Sequence, residues 1–400
     1  MTHMTKSLTF VTLTLATLTA CNNHPIKDAE MNGWEGEGIN VGDTDGEDDD
    51  GGADGADEGG DAGADDGGAA DGGDDGTITG TAVACAADEY EVEQLRPAVM
   101  LVLDKSGSMF DNEWNVGGQM VTRWNSLHGV VSDVASTSDA TMSLGVTLFP
   151  AKDNHGCGVA SDPDLAIADT NTAADVLAAI PGANADHHGY TPMRSGLETA
   201  RAALSDIDAS RPRAMVLVTD GLANCVDDQE NGDYDAGIED LVKDIHEQDE
   251  ISTYVVGIDI SHSYDNDAGV VPHDAISAVA NAGGVPASDE QPYYAAADEA
   301  ALYDALDAIA NRVECTIQLN APVDADATFE VTVGDELVSE VASCDEGDGW
   351  RFTDPAMRSS IELCGAACDD LRIQGMVRTE ACEELDHEPE GSDPTPLPVP

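Results

Sequence analysis

The stretch "VMLVLDKSGSMF", Val99 to Phe110, ends an apolar run with one carboxylate and two hydroxyls inside five residues: Asp104, Ser106 and Ser108. Gly107, between the serines, permits a tight turn that folds both hydroxyls back towards one point. Oxygen donors converging on one point suit a hard divalent cation, and Mg²⁺ takes about six oxygens while tending to keep some waters. Asp, Ser and Gly are also ordinary turn residues, so the triplet by itself reads as a turn as readily as a site. Two further segments bear on that choice. "VLVTDGLANC" places Asp220 at the end of a second apolar run, and "GYTPMRSGLETA" places Thr191 after a polar loop, at the start of a helix.

Residues so far apart in the chain meet only if strands end side by side. Between Ala98 and Val313, short β-rich apolar runs alternate with helix-period segments. Strands are predicted at 98–104, 141–149, 214–220 and 251–258, and helices at 122–135, 172–180, 192–204, 238–248, 274–282 and 299–313. The alternation implies an α/β fold, a doubly wound and mostly parallel sheet with helices on both faces. "LAIAD", Leu165 to Asp169, is expected as a short antiparallel edge strand. In such a sheet ligands bind beyond the carboxyl ends of the strands, where Asp104 and Asp220 fall. From Cys315 to about Glu384 the helix period gives way to β-like runs, "TIQL" through "LRIQGMV". These predict a small β-rich module whose core needs disulfide staples.

The pattern D-x-S-x-S, then a separate Thr, then a separate Asp is that of a metal-ion-dependent adhesion site. Asp104, Ser106, Ser108, Thr191 and Asp220 fill its five positions in order, and the region from about 98 to 313 resembles the von Willebrand factor A domain. "TYVVGIDI", "ISAVANAGGVP" and "YYAAADEAALYDALDAI" resemble that family's last strands and helices. The resemblance implies a Rossmann-like fold holding a divalent cation, Mg²⁺ first, with Mn²⁺ or Ca²⁺ as alternatives. It implies that the two serines bind the metal directly, Thr191 directly or through water, and the two carboxylates mainly through waters. A metal with so few anionic ligands stays electrophilic and is completed by a carboxylate from a protein partner, with no bond made or broken.

The whole chain is acidic, with 80 acidic against 16 basic residues and a net charge of −64. That charge repels nucleic acid and anionic lipid headgroups. It also suits a protein that stays soluble in salty surroundings, where self-repulsion is screened. The 35 residues from Gly42 to Gly76 hold 15 acids and no base. Residues 22–84 cannot bury apolar surface and are expected to be a disordered tether, with a reach of roughly 40 to 45 Å. No window there has the spacing of an EF-hand calcium loop. The proline-rich end, "HEPEGSDPTPLPVP", is expected to be disordered as well.

At the amino end, Lys6 precedes an apolar, threonine-rich stretch from Leu8 to Leu18 and then "LTAC". The stretch is short of the ~20 residues that span a bilayer but suits the core of an export signal. "LTAC" resembles the lipobox of bacterial lipoproteins, which implies that Cys21 receives a diacylglycerol and becomes the new N-terminus; the alternative is ordinary cleavage after Ala20. No Asp directly follows Cys21, which in such lipoproteins leaves the outer membrane open as a destination. The expected location is therefore outside the cytoplasm, lipid-anchored at the outer membrane or cell surface of a bacterium. The chain divides into a signal at 1–20, an acidic linker at 21–84, the α/β domain at 85–314, the β-rich module at 315–384 and a tail at 385–400.

Beyond Cys21, eight cysteines remain: Cys85, Cys157, Cys225, Cys315, Cys344, Cys364, Cys368 and Cys382. Their even number, an oxidising location and the lack of C-x-x-C pairs favour disulfides over zinc. Cys157 follows the strand ending at Phe149 and Cys225 the one ending at Asp220, so parallel strands place both on one rim and predict a bond between them. A cysteine after "LFP", another after "TDG", and the later set Cys344, Trp350, Cys364 and Cys368 resemble a group of bacterial lipoproteins that carry this domain. Among the roughly 105 arrangements of eight cysteines, Cys85–Cys315, Cys344–Cys364 and Cys368–Cys382 are the remaining expectations.

Near the ligand positions, Lys105 is expected to be a solvated side chain, and His187 and His188 to be surface-loop residues. Trp124 is expected in the core, while Phe110 and Trp114 suit either core or rim. No H-E-x-x-H, G-x-S-x-G or P-loop is present, and Asp104 lacks a second Asp two residues on, which argues against catalysis and nucleotide binding. The expected function is that of a lipid-anchored, non-catalytic protein binding a carboxylate-bearing protein through the cation. The alternatives are a structural envelope protein with an occupied but idle site and, less favoured, a metal-dependent hydrolase using the same carboxylates.

Overall fold

The computed structural model describes residues 83–91, 96–152, 156–185, 189–226 and 233–384. Strand β1 (Val83–Glu91) precedes β2 (Ala98–Asp104), whose residues are apolar on both faces and so fit the interior of a covered sheet. β2 lies between β5 (Ser143–Phe149) and β6 (Arg213–Thr219), and β7 (Ser252–Ile258) and β8 (Tyr294–Ala296) follow β6, all in parallel. Ala98, Met100 and Val102 face a core layer built with α4 (Met193–Ser205), α5 (Ile238–Asp249) and α6 (Pro272–Ala282). Val99 and Leu103 face the opposite layer, built with α2 (Arg123–Ser138), α3 (Ala173–Ala179) and α7 (Glu299–Glu314). The two-residue period of each strand therefore sorts its side chains between two helix layers, the doubly wound arrangement that the alternation implies.

Between β2 and α2 the chain makes one short helical turn, α1 (Gly107–Asp111), and a hairpin of β3 (Glu113–Val116) and β4 (Gln119–Thr122). The edge strand expected at Leu165 to Asp169 is reduced to a single antiparallel bridge, Leu165 to Val146. Beyond it, the Asn171 side chain donates to Leu144 O at 2.8 Å, a carbonyl that a longer ladder would use, and to Ala166 O at 2.7 Å.

After α7 come β9 (Thr316–Gln318), β10 (Thr328–Val333), β11 (Glu336–Val338), β12 (Gly349–Phe352), β13 (Ser360–Cys364), α8 (Ala366–Gln374) and β14 (Met376–Glu384). They form two antiparallel sheets, ordered β12-β13-β9 and β1-β14-β10-β11. β1 thus precedes the parallel sheet in sequence but pairs along its length with β14. α8 replaces the β-like run expected at "LRIQ": Ala367, Cys368 and Leu371 bury one helical face, and Gly375, at φ 73, stops the helix.

Cys344 is bonded to Cys364, and Cys315, the C-cap of α7, is bonded to Cys368 of α8. The last bond corrects two expected pairings, Cys85–Cys315 and Cys368–Cys382, because α8 brings Cys368 to a Cα distance of 5.4 Å from Cys315. Cys382 is disulfide-bonded as well and stands opposite Cys85 in the β1–β14 register; the Cys85 side chain lies outside the described residues.

The module is fastened to the parallel sheet by charge. Arg312, near the end of α7, donates to both oxygens of Glu362 on β13, at 2.9 and 3.2 Å, and to the Tyr294 hydroxyl at 2.8 Å. Arg351 on β12 shares the same carboxylate at 2.7 Å. His246 of α5 meets Asp354 at 2.9 Å. These contacts fall on the last turns of α7 and α5 and on β8.

Candidate metal centre

Three adjacent strands each deliver an aspartate at or just past their carboxyl ends: Asp104 closes β2, Asp220 follows β6 and Asp259 follows β7. β2 and β6 are neighbours, yet the helices that follow them, α2 and α5, cover opposite faces of the sheet. The rim above them is therefore a topological switch point, where a crevice opens between the departing chains.

Local turn chemistry folds the donors into that crevice. Asp104 Oδ1 accepts the Ser106 N–H at 2.7 Å, and Asp104 Oδ2 accepts the Thr219 hydroxyl at 2.7 Å. The Ser106 and Ser108 hydroxyls lie 3.0 Å apart, and Ser108 donates to Asp220 Oδ1 at 2.6 Å. Asp104, Ser106, Ser108 and Asp220 thus join in one run of hydrogen bonds.

Thr191 reaches the same rim through its backbone. Gly107 N–H donates to Gly189 O at 3.1 Å, tying the serine turn to the loop that leads into α4. Thr191 N–H donates to Asn224 Oδ1 at 2.6 Å, and Asn224 N–H returns to Thr191 O at 3.1 Å. The Cys157–Cys225 disulfide, with Cα atoms 5.8 Å apart, then joins the loop after β5 to the loop after β6 beside Asn224.

Asp104 is fully buried, and burial together with the charge of Asp220 pushes its carboxyl up to about 7. Burial raises Asp220 as well, against the opposing pull of Ser108 and Arg123. Hydrogen bonds from Ser106, Thr219 and Ser108 favour the ionised carboxylates, and a positive charge at the rim would favour them further. Hydroxyl and carboxylate oxygens, with no sulfur or imidazole among them, match a hard divalent cation. The residues present therefore fit the group that the spacing implies.

Several neighbours differ from expectation. Lys105 is fully buried, not solvated: its backbone N–H donates to Phe149 O at 2.7 Å, holding it against the end of β5, and its ammonium charge acts on Asp164, whose carboxyl burial nevertheless raises. Phe110 and Trp124 stack at 5.1 Å inside the core, and the buried Trp114 donates its indole N–H to Ser126 Oγ at 2.8 Å, so none of the three rings is a rim contact. His187 and His188 lie outside the described residues. Thr219 and Asn224 sit within "VTDGLANC" and could have been read from it as rim residues. Arg123 gave no signal: only the β3–β4 hairpin turns the first residue of α2 towards Asp220, where its Nη1 donates at 2.7 Å.

Residues 99–222 match the family model of the von Willebrand factor type A domain. No curated protein matches the chain in sequence. Among solved structures, the chain is similar to the pilus adhesin SpaC from Lactobacillus rhamnosus GG in its open conformation, at 14% identity and a TM-score of 0.42, covering 77% of this chain and 42% of that one. It is similar to a von Willebrand factor type A protein from Catenulispora acidiphila at 13% identity and 0.39, covering 78% and 67%. It is also similar to manganese-loaded TRAP protein from Plasmodium vivax at 16% identity and 0.36, covering 56% and 76%. This chain spans less than half the length of the pilus adhesin. With its parallel sheet, its two helix layers and the family match across β2 to Asp220 and beyond, the chain carries a von Willebrand factor type A domain.

Proposed function

We propose that the chain is a lipid-anchored, non-catalytic surface protein whose von Willebrand factor type A domain binds a protein partner through a divalent cation. Asp104, Ser106, Ser108, Thr191 and Asp220 hold the cation, with Mg²⁺ the first choice and Mn²⁺ or Ca²⁺ as alternatives. The observation that carries this reading is the run of hydrogen bonds linking Thr219, Asp104, Ser106, Ser108 and Asp220 across the ends of two strands.

When bound, the cation supplies an electrophilic centre for a partner's carboxylate. Ser106 and Ser108 supply neutral oxygens, which leave that centre more positive than acidic ligands would, while Asp104 and Asp220 orient the hydroxyls. The approaching carboxylate meets a chain at −64, so salt assists the encounter by screening. Cys21 and the acidic segment that follows it, which lie outside the described residues as far as residue 82, act as anchor and tether in this reading. Among the described residues no helix is long and apolar enough to cross a membrane.

Cross-linking on intact cells tests the proposal. The wild-type chain should capture a protein partner, and the cross-linked species should disappear with chelator and in Asp220→Ala. A partner that stays cross-linked under both conditions contradicts it. Cys21→Ser should release the chain from the membrane fraction; retention there would refute the anchor.

A further inference from the structure

Arg123 spans the rim. Its Nη1 donates to Asp220 Oδ2 at 2.7 Å and its Nη2 to Asp259 Oδ2. The arginine side chain is 11% exposed and that of Asp220 only 1%, whereas Asp259 stands 65% exposed. The position is built by the fold: Thr122 caps α2 by accepting Asn125 N–H at 3.1 Å, and Arg123 N–H donates to Asn112 O at 3.1 Å. Asp259 is fixed in the left-handed region at φ 48, with its N–H donating to Ala296 O at 2.9 Å.

A nearly buried guanidinium held on Asp220 has two opposed effects at the candidate metal centre. It repels a cation there by like charge, and it leaves the loaded rim one charge more positive than a neutral side chain would. In a chain at −64, that extra positive charge is what an anionic ligand meets on arrival.

We propose that Arg123 is the specificity-determining residue of this rim, lowering its affinity for the divalent cation and raising the affinity of the loaded rim for a carboxylate ligand. The inference rests on the metal reading above and assigns Arg123 a role towards the same site.

The test uses the full chain, stripped with chelator, with Mn²⁺ as the probe ion and acetate as the probe carboxylate. Free Mn²⁺ is read by electron paramagnetic resonance, and acetate binding by the fall in water-proton relaxation of the loaded chain. Arg123→Gln keeps an amide donor near Asp220 without the charge. It should bind Mn²⁺ about five-fold tighter and acetate several-fold weaker, the scale of one charge acting across a partly solvated rim. Arg123→Lys should stay near wild type. Asp259→Asn, at an exposed position where Asn tolerates the backbone, removes the counter-charge of Arg123 and should shift both affinities the other way.

Loss of structure weakens both affinities together, so opposed movement separates charge from misfolding. Unchanged affinities in Arg123→Gln, or a joint decrease in both variants, would overturn the role of Arg123 and leave the metal reading standing. A wild-type chain that takes up no Mn²⁺ would overturn both.

Discussion

Asn224 grips the Thr191 backbone from both sides, accepting its N–H at 2.6 Å and donating to its carbonyl at 3.1 Å. The loop after β6 and the start of α4 are thereby registered against each other, although 33 residues separate the two partners. This pair of bonds, with the Met193 N–H donating to the same carbonyl at 2.9 Å, fixes the backbone that carries the Thr191 hydroxyl. Asn224→Ala should reduce Mn²⁺ affinity about ten-fold, in line with ~1 kcal/mol for a lost bond plus the freedom regained by Thr191. The comparison is calorimetric titration of wild type and variant. Equal affinities would mean that Asn224 does not position Thr191.

The Cys157–Cys225 bond closes a loop with a sequence separation of 68, next to Asn224. Its removal should cost about 3 kcal/mol of stability, below the loop-entropy ceiling because native contacts already order both loops. A Cys157→Ser, Cys225→Ser double variant should therefore melt several degrees lower, and its cation-dependent rise in melting temperature should shrink. A full rise retained in the double variant would show that the disulfide serves stability alone.

Glu362 is the shared acceptor of Arg312 and Arg351, with a side chain only 4% exposed. Removing it takes the carboxylate from two arginines in the seam between the parallel sheet and the module, leaving Arg312 only neutral acceptors, Tyr294 and Pro286 among them, a class of change that costs about 3 to 5 kcal/mol. Glu362→Ala should lower the melting temperature sharply, and Arg351→Ala less, because Arg312 would still pair with Glu362. Equal losses in the two variants would contradict the shared-carboxylate account.

Asp235 is held by Arg194 through two bonds, at 2.6 and 2.8 Å, and by the Gly237 N–H at 3.0 Å. Burial raises its carboxyl, but the Arg194 and Gly237 bonds together outweigh burial and hold it below the usual carboxylate value. The folded value lies below the unfolded one, so this contribution is complete above the ordinary carboxylate range and is lost as pH falls through the folded value. Asp235→Asn should therefore be less stable than wild type at neutral pH by about 2 kcal/mol, allowing for the partial exposure of Arg194. Melting curves down to acid pH should show that gap closing. A gap that stays constant would mean that Arg194 contributes nothing through charge.

The elements that position the rim were legible because each rests on local pattern. The six expected helices correspond to α2 to α7, whose bounds differ from expectation by at most three residues at either end, since a 3.6-residue period ending at a cap marks itself. The β1–β14 pairing was not legible: it joins Val83 to Glu384 across most of the folded chain, and no local signal says which edge a short strand will choose. Cys315–Cys368, only 53 positions apart, was hidden for another reason: it depends on "AACDDLRIQ" forming a helix where "LRIQGMV" suggested strand. At the rim, strand ends placed Asp104 and Asp220, but the charge environment came from tertiary structure alone. Lys105 is fully buried although its type and place in a turn suggest solvent, and Arg123 arrives through a short hairpin of eight paired residues.

In the proposed site, hydroxyls as well as carboxylates hold the cation. The most direct measurement is calorimetric titration of the chelator-stripped chain with Mg²⁺ and Mn²⁺, wild type beside Ser106→Ala and Ser108→Ala. Wild type should bind one ion per chain, and each variant should lose at least ten-fold in affinity with unchanged circular dichroism. Binding that is absent from wild type, or equally strong without the two hydroxyls, would contradict the proposed site.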